Sequence, residues 1–251
     1  MPTALTGKTA LVTGGSRGIG AGIARELARQ GASVALTYRK SREQAEEVVA
    51  ELVALGVKAV AVQADQSVPH KASTAVEEAA EFLGGRIDVL VNSAGVAVMG
   101  TVDQLDQDLL DGVQNMFATN VMGTVVTTHS ATRYLPDGGR VILVGSTVAE
   151  RIPTPGVAAY AASKAAIDQL GRGWARDFGP RGITVNVVRP GATDTDMNPA
   201  DGPFAATQVA MTPLGRFGRT DDIAKAVAFL ASEEAAFITG ALLTVDGGSS
   251  I

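Results

Sequence analysis

A glycine-rich turn near the start of the chain constrains the fold more than any other feature of the sequence. The turn follows the apolar run Thr9–Thr13 and opens a helical pattern in which Ile19, Ile23 and Leu27 share one face before Gly31, a typical helix stop. A glycine turn between a strand and a helix lets the backbone approach a pyrophosphate, which the helix N-terminus also favours. The residues predicted to form this phosphate-binding turn are Gly14, Ser16, Arg17, Gly18, Ile19 and Gly20.

Strand-like and helical segments alternate along the rest of the chain. Several strand-like runs are continuously apolar, which is typical of strands buried on both faces of a parallel sheet. The runs are Thr9–Thr13, Ser33–Thr37, Ala59–Gln63, Val89–Asn92, Val141–Val144, Thr184–Val188 and Leu242–Val245. Between them, Ser41–Leu55 predicts a helix whose Ser-x-x-Gln start matches a capping box. Repeated β-α-β units with right-handed crossovers predict an α/β fold, a doubly wound parallel sheet (the Rossmann fold) in a single domain.

Composition and charge exclude several classes of function. The formal net charge is -5 and no basic run occurs, so we expect neither a nucleic acid polymer nor a membrane as a partner. The chain has no cysteine and only two histidines, His70 and His129, so we expect no metal site. Met1–Gly7 lacks the apolar stretch of a signal peptide, and no run of about 18 apolar residues occurs. We therefore expect a cytoplasmic protein.

The end of the second strand indicates which nucleotide the turn would accept. An acidic residue there would bind a ribose 2′-hydroxyl, but this chain has Tyr38-Arg39-Lys40-Ser41. Arg39, helped by Arg17 and by Lys40 or Ser41, could instead hold a 2′-phosphate, so the sequence favours NADP(H) over NAD(H). The ends of two later strands reach the same crevice. After the third strand, Asp65 and Gln66 are expected to contact the adenine, and after the fourth, Asn92, Ala94 and Gly95 are expected to contact the ribose.

A tyrosine and a lysine four residues apart form the candidate catalytic pair. Tyr160 and Lys164 lie on one face of a predicted helix. A phenol with a pKa near 10 is a poor acid–base group at neutral pH. One ammonium about 4 Å away, at an effective dielectric near 20, supplies the roughly 4 kcal/mol needed to favour the phenolate. This spacing also arises by chance, and it gains weight from Ser146 at the preceding strand end and from the glycine turn.

Seven short motifs, in order, resemble the short-chain dehydrogenase/reductase family over nearly the whole chain. They are Thr13-Gly14-x-x-x-Gly18-x-Gly20, Asn92-x-Ala94-Gly95, Asn120 in Thr119-Asn120-Val121-Met122-Gly123, Ser146, Tyr160-x-x-x-Lys164, Pro190-Gly191 and Asp246-Gly247-Gly248. The resemblance implies hydride transfer between a nicotinamide and a ketone, an aldehyde or a secondary alcohol. In that chemistry Tyr160 would be the general acid/base, and Ser146 would hydrogen-bond the substrate oxygen.

The resemblance also implies roles for residues around this pair. Lys164 would grip the nicotinamide ribose, and Asn120 would hold a water that links Lys164 to solvent. The nicotinamide carboxamide would be framed by Pro190, Gly191, Thr193 and Thr195.

Two positions depart from the family pattern. Ser93 replaces the second asparagine of Asn-Asn-Ala-Gly, and we expect little effect because the backbone does most of that work. The common spacing of the serine before the tyrosine selects Thr147, whereas alignment of the strand selects Ser146. We prefer Ser146, because a loop tolerates an extra residue better than a strand does.

The segment 192–220 is the least regular part of the sequence and is predicted to be a substrate lid. Its large apolar side chains could line a pocket or pack the lid down; they are Met197, Phe204, Met211 and Phe217. The chain is also similar to 3-oxoacyl-carrier-protein reductases, which dock an acidic carrier on basic surface. Tyr134–Gly138 carries Asp137 where such a surface would be basic, so a small carbonyl or alcohol is favoured as the substrate.

A regulatory function is the alternative from another class. Ala175–Ile183, with Asp194-Thr195-Asp196 and Asn198-Pro199-Ala200, resembles a bacterial subgroup that includes a cyclic-di-GMP-binding biofilm-dispersal protein. In a nucleotide-binding regulator, Arg181 and Arg216 would meet phosphates. Family members are commonly tetramers, so the resemblance also implies a homotetramer, or a homodimer. The contacts would be made by helices around Gln107–Tyr134 and Ala158–Phe178 and by the last strand.

Overall fold

Seven parallel strands form one sheet. The computed structural model describes residues 4–251. The segment Met1–Gly7, which is not expected to be a signal peptide, therefore lies partly outside the described residues, at Met1–Thr3. The strands are β1 Thr9–Val12, β2 Ser33–Tyr38, β3 Ala59–Gln63, β4 Val89–Asn92, β5 Arg140–Val144, β6 Thr184–Pro190 and β7 Leu242–Val245. Each predicted strand is present, and β6 runs two residues further than predicted.

The order of the strands is β3-β2-β1-β4-β5-β6-β7, which confirms the doubly wound topology. The chain builds outward from β1 to β3 and then returns to pair β4 with the free side of β1. Val12 therefore pairs with Leu36 of β2 on one side and Val91 of β4 on the other. The connections leave in opposite directions at this point, and sheets of this kind bind ligands in the crevice beyond the carboxyl ends of such strands.

Helices cover both faces of the sheet, because neighbouring strand residues point to opposite sides. The helices are α1 Gly18–Arg29, α2 Arg42–Ala54, α3 Pro69–Phe82, α4 Gln107–Phe117, α5 Gly123–Ala131, α6 Ala158–Phe178, α7 Ala205–Ala210 and α8 Thr220–Ala231. Val12 packs with α1, α2 and α8 in one core, and its neighbour Leu11 packs with α3, α5 and α6 in the other. None of these helices has the length and apolarity needed to cross a membrane.

Two local predictions are corrected by the structure. Ser41 stands at the N-cap of α2 but makes no side-chain capping bond, so the predicted capping box is wrong. Its ψ of 66° departs from the extended backbone that lets an N-cap side chain reach back to the helix. The long helix expected around Gln107–Tyr134 is interrupted by a π-helical segment, Ala118–Met122, which joins α4 to α5. The expected irregular segment 192–220 contains the short helix α7.

Candidate active site

The glycine-rich turn wraps the N-terminus of α1 at the carboxyl end of β1. Gly14 and Gly18 have φ angles of 67° and 54°, where a side chain would be strained. The Gly14 N–H donates to the Thr37 hydroxyl at 3.2 Å, and the Gly15 N–H donates to the Thr37 carbonyl at 2.9 Å. The N-cap residue of α1, Arg17, makes no side-chain capping bond, so it leaves the positive end of the helix available to an anion.

The end of β2 presents a cation to the same crevice. Tyr38 is buried, Lys40 is exposed, and Ser41 is half-buried. The Arg39 side chain is 43% exposed, and its Nε lies 3.3 Å from the carboxylate of Asp65, which follows β3. Burial opposes the ionisation of Asp65, but hydrogen bonds from Ser67 and the charge of Arg39 outweigh it and lower the pKa of Asp65. Arg39 is thus held at the end of β2 by a carboxylate.

Gln66 connects three parts of the crevice through its buried amide. The amide oxygen accepts a hydrogen bond from Thr127 on α5 at 2.9 Å, and the amide nitrogen is 3.5 Å from the Thr37 hydroxyl. Thr37 in turn accepts the bond from Gly14. Gln66 therefore supports the shape of the glycine turn from below.

The end of β4 packs closely against the glycine turn. The Thr13 hydroxyl accepts hydrogen bonds from the backbone N–H groups of Ser93 and Ala94, both at 3.0 Å. A Cβ on Gly14 would lie 2.8 Å from Cα of Ala94. Asn92 is buried and donates to Thr128 at 3.1 Å. Position 93 contributes its backbone to this arrangement, as expected from the substitution of the family asparagine.

The phenol of Tyr160, at the start of α6, lies near the hydroxyl of Ser146, which follows β5 and Gly145 and acts to lower the pKa of the phenol. The alternative residue, Thr147, donates instead to the carbonyl of Pro190 at 3.3 Å. Two residues, Ser146 and Thr147, were candidates for the position of the family serine, and the structure brings Ser146 to the tyrosine.

Lys164 and Asn120 lie together beside Gly95. A Cβ on Gly95 would lie 3.4 Å from the Asn120 Oδ1 and 3.6 Å from the Lys164 Nζ. Asn120, in the π-helical segment, accepts from the N–H of Val96 and donates to its carbonyl, both at 2.9 Å. The Lys164 ammonium donates to the carbonyl of Val144 at 2.9 Å. The helical irregularity therefore turns an amide toward the lysine.

The electrostatics of Tyr160 and Lys164 differ from the expectation. Burial raises the pKa of Tyr160 to about 12, and the hydrogen bond with Ser146 only partly opposes this. Burial lowers the pKa of Lys164 to about 8, while the charge of Asp168 raises it. The Lys164 Nζ lies 5.9 Å from the Tyr160 ring centre and is bound to a carbonyl. The argument that Lys164 favours the phenolate is therefore not supported in this arrangement, because desolvation dominates the pKa of Tyr160 and the lysine charge is not among its causes.

The residues after β6 reach across to the glycine turn. The Thr193 hydroxyl donates to the Gly191 carbonyl at 3.1 Å, and the Thr195 hydroxyl lies 3.4 Å from the Thr193 carbonyl. A Cβ on Gly18 would lie 3.5 Å from the methyl group of Thr195. Pro190 ends β6 and begins this path. The segment thus spans the crevice mouth from β6 to α1.

An ion pair closes this span. The Arg17 Nη1 lies 3.2 Å from the carboxylate of Asp196, and both side chains are mostly exposed. Sequence reasoning assigned Arg17 to a phosphate but gave Asp196 no role. No local pattern pairs residues this far apart, although Asp196 follows the predicted Thr195 directly.

The apolar side chains of 192–220 divide between packing and exposure. Phe217 is buried and Met211 is half-buried, whereas Met197 is 57% and Phe204 is 66% exposed. Phe217 therefore packs the segment down, and Met197 and Phe204 remain available to a ligand.

The arginines of the regulatory alternative are already bonded. Arg181 pairs with Asp137 at 3.0 Å and donates to the carbonyl of Thr132. Arg216 pairs with Asp222 at 2.9 Å. Both side chains hold loops of their own chain in this structure.

Sequence reasoning also missed a buried ion pair behind the tyrosine and lysine. Asp168 continues their helical face at the next i+4 position, and Arg189 lies within the apolar strand β6. The signal available in the sequence was a charged residue on a partly apolar helical face, at Asp168, and another within an apolar strand, at Arg189. Among residues 4–251, no group of His, Asp and Glu side chains could hold a metal ion.

Comparisons with known proteins give one consistent result. The family model described as Enoyl-(Acyl carrier protein) reductase matches residues 14–250. The chain is 42% identical to the cyclic-di-GMP-binding biofilm dispersal mediator protein of Escherichia coli K12, over 97% of this chain and 98% of that protein. A solved short chain dehydrogenase from Burkholderia cenocepacia, in complex with NADP, has a TM-score of 0.95 and 48% identity, with 99% and 100% of the two chains covered. A blue fluorescent protein from a metagenomic library, in complex with NADPH, has a TM-score of 0.95, 47% identity and the same coverage.

Proposed function

The chain belongs to the short-chain dehydrogenase/reductase family, and from this we propose that it is an NADP(H)-dependent oxidoreductase acting on a ketone, an aldehyde or a secondary alcohol. The observation that carries the proposal is the proximity of the Tyr160 and Ser146 hydroxyls at the carboxyl end of β5, in the sheet whose β1 carries the glycine turn. A proton donor and an oxygen-binding hydroxyl at that edge suit a carbonyl group.

The crevice fits a dinucleotide that carries a 2′-phosphate. The glycine turn and the uncapped α1 suit the pyrophosphate, and no acidic residue follows β2 to reject a phosphate. Arg39 is the cation at that position, and the related structures in complex with NADP and NADPH support its assignment. Asp65 and Gln66 would face the adenine, and Asn92, Ala94 and Gly95 would face the ribose.

In the reduction direction, NADPH when bound supplies the hydride that reaches the carbonyl carbon. Tyr160 is protonated at neutral pH, because a phenol has an ordinary pKa near 10 and burial raises that pKa further, so Tyr160 can give its phenolic proton to the carbonyl oxygen. Ser146 donates a hydrogen bond to the same oxygen and positions it beside Tyr160. Lys164 binds the ribose and places a positive charge behind the phenol as its proton leaves. Asn120 holds the water by which Lys164 exchanges protons with solvent.

The segment 192–220 would act as a lid over the reactants. Pro190, Gly191, Thr193 and Thr195 would frame the carboxamide, and the Arg17–Asp196 ion pair would hold the lid to the glycine turn. Exposed ion pairs contribute little to stability, so this contact can open and close readily. Met197 and Phe204 would meet an apolar part of the substrate.

The proposed substrate is a small carbonyl compound, with an acyl-carrier thioester as the alternative. Asp137 is exposed beside β5 and pairs with Arg181, so the basic surface that would dock an acidic carrier is absent at Tyr134–Gly138. Turnover of acyl-carrier thioesters well above that of simple ketones would reverse this choice.

Consumption of NADPH and NADH against a panel of ketones and aldehydes tests the proposal as a whole. We expect NADPH oxidation with at least one carbonyl compound, and a lower kcat/KM with NADH. Absence of oxidation across the panel, in protein that still binds NADPH, would contradict the assignment of the reaction.

Arg39→Ala is expected to weaken NADPH selectively. A hydrogen bond to a charged group contributes about 1.5–3 kcal/mol, so the KM for NADPH should rise roughly 10- to 100-fold while that for NADH changes little. Arg42→Ala is the matched control, because Arg42 lies three residues further along, is exposed, and pairs with Glu46. Equal losses with both cofactors in Arg39→Ala would show that Arg39 does not read the 2′-phosphate.

A nucleotide-binding regulator is the second candidate, favoured by the 42% identical cyclic-di-GMP-binding relative. For this function, Arg181 and Arg216 of this chain would have to leave their present carboxylate partners to bind phosphates. Calorimetry with cyclic-di-GMP distinguishes the candidates: binding without NADPH oxidation across the carbonyl panel would favour the regulator.

We also propose a homotetramer, or a homodimer, through α6, the helices from α4 to α5, and β7. All four residues of β7 are half-exposed, and the nearby Phe237 is fully exposed. Sedimentation measures the state directly, and a monomer at micromolar concentration would contradict the proposal.

A further inference from the structure

The charge nearest to Lys164 on its own helix belongs to Asp168. The two residues are separated by one helical turn and both are buried, with Asp168 2% and Lys164 6% exposed. The Asp168 charge acts to keep the lysine protonated, against the burial that favours the neutral amine. The proposed chemistry uses Lys164 as an ammonium, so the source of this charge bears directly on the reaction.

Arg189 holds the Asp168 carboxylate from the neighbouring strand. Its Nε and Nη2 both donate to Oδ2 of Asp168, at 3.1 and 2.6 Å. Oδ1, the other oxygen, is buried without a hydrogen-bond partner among residues 4–251. The carboxylate therefore retains one oxygen whose negative charge no donor shares, inside a region of low dielectric where that charge acts strongly.

The pair also joins three segments that carry the proposed site. Asp168 lies on the helix of Tyr160 and Lys164, and Arg189 directly precedes Pro190 and Gly191. The remaining guanidinium nitrogen, Nη1, lies 2.5 Å from the carboxylate of Glu150, which ends the turn that begins at Ser146.

Gly145 provides the space for this junction. A Cβ on Gly145 would lie 3.2 Å from Oδ1 of Asp168, 3.4 Å from Cγ of Arg189 and 2.9 Å from Cγ1 of Val187. The absent side chain lets the end of β5, which leads into Ser146, approach the ion pair.

We propose that Asp168 and Arg189 form a positioning pair for Lys164, in which the carboxylate holds the buried lysine in its ammonium form and the guanidinium fixes that carboxylate against β6. The ion pair stands on its own geometry, and its catalytic consequence rests on the proposed function. Neither residue touches the reacting atoms, so both act through Lys164.

The charged and titratable groups around Lys164 allow the sign to be stated. They are Tyr160 and Asp168 on α6, Arg189 on β6 and Glu150 after Ser146, while Asn120 and the Val144 carbonyl are neutral. The negative charge of Asp168 raises the pKa of Lys164. When that charge is removed, the pKa of Lys164 therefore falls below about 8. Activity that needs the ammonium is then lost at a lower pH than in the unaltered protein.

Direct titration of Lys164 tests the pair without reference to activity. The chain has six lysines, and side-chain 13C and 15N NMR of lysine-labelled protein, with Lys164→Met to assign the signal, follows this one. We expect Lys164 to titrate near 8, below the ordinary value of a lysine, and about one pH unit lower still in Asp168→Asn. Glu150→Gln is the matched control, because its 62% exposed carboxylate is screened by solvent, so its removal should move the Lys164 titration far less than Asp168→Asn does.

The pH profile of carbonyl reduction is the second measurement. The alkaline limb of kcat/KM should move about one unit lower in Asp168→Asn, whereas a purely structural role would lower activity equally at every pH. Asp168→Asn leaves Arg189 without its buried carboxylate partner, and this loss can prevent folding. In that case the double variant Asp168→Asn/Arg189→Gln, which removes both charges, replaces the single one. It should show the same direction of shift.

The outcomes separate the two proposals. An unchanged Lys164 titration in Asp168→Asn, or in the double variant where the single one does not fold, overturns the positioning pair even if the melting temperature falls. A shifted titration in a protein that reduces no carbonyl compound upholds the ion pair and its effect on Lys164 while it removes the proposed reaction.

Discussion

Tyr160→Phe is expected to lower carbonyl reduction roughly a thousandfold, within the usual 10²–10⁴ range for a positioned general acid, while NADPH binding is retained. The substitution removes one hydroxyl and leaves the ring. That hydroxyl lies beside Ser146, and it is protonated at neutral pH because the ordinary pKa of a phenol is near 10 and burial raises it further. Steady-state kinetics gives kcat, and fluorescence titration with NADPH gives the binding constant.

Tyr134→Phe is the matched control, because it also removes one phenolic hydroxyl. Tyr134 lies after α5, where its ring stacks with Arg133. We expect that variant to keep full activity. The loss of this one hydroxyl group from half-buried Tyr160 should change the free energy of unfolding by only about 1 kcal/mol. Substantial reduction by Tyr160→Phe at neutral pH would mean that another group delivers the proton, and Ser146 would be the next residue to substitute.

The fold could be predicted from the sequence because its strongest signals are local. The runs Ala59–Gln63 and Val89–Asn92 are short, apolar and bounded by polar turns, and the structure gives both strands these same limits. The capping box at Ser41 failed because a Ser-x-x-Gln pattern does not report the backbone angles at the cap. The interruption at Ala118–Met122 likewise has no periodic signature, although it is what aims Asn120 at its partners.

The site was predictable where parallel strands end and unpredictable where burial decides. Asn92 ends β4, and Gly14 and Ser146 each lie two residues beyond the ends of β1 and β5, so the topology alone brings them to one edge. The charge state of Tyr160 depends instead on how deeply the ring is buried and on where the Lys164 ammonium binds, and both oppose the Coulomb argument made from spacing. The ion pair of Asp168 and Arg189 joins a helix to a strand, and neither sequence pattern contains its partner.

Gly20→Ala is expected to abolish productive cofactor binding and to destabilise the chain. A Cβ at this position would overlap the carbonyl oxygen of Gly14 and would lie 2.9 Å from its carbonyl carbon. These atoms belong to the backbone of the glycine turn, which is itself held by Thr37 and packed on Ala94, so the clash cannot be relieved by a side-chain rotation. Overpacking of this kind costs about 1–3 kcal/mol in the free energy of unfolding.

The effect on the cofactor should exceed the effect on stability. If the displaced turn loses two backbone hydrogen bonds to the pyrophosphate, each contributing about 1.5 kcal/mol or more, the Kd for NADPH rises at least roughly 100-fold. Isothermal calorimetry measures this, and thermal unfolding measures the stability. Gly173→Ala on α6 is the matched control, since a Cβ there meets no atom within 4 Å, and an alanine within a helix is stabilising by about 0.5–1 kcal/mol. Normal NADPH affinity in Gly20→Ala would mean that the turn is looser than its packing indicates and that the pyrophosphate does not depend on it.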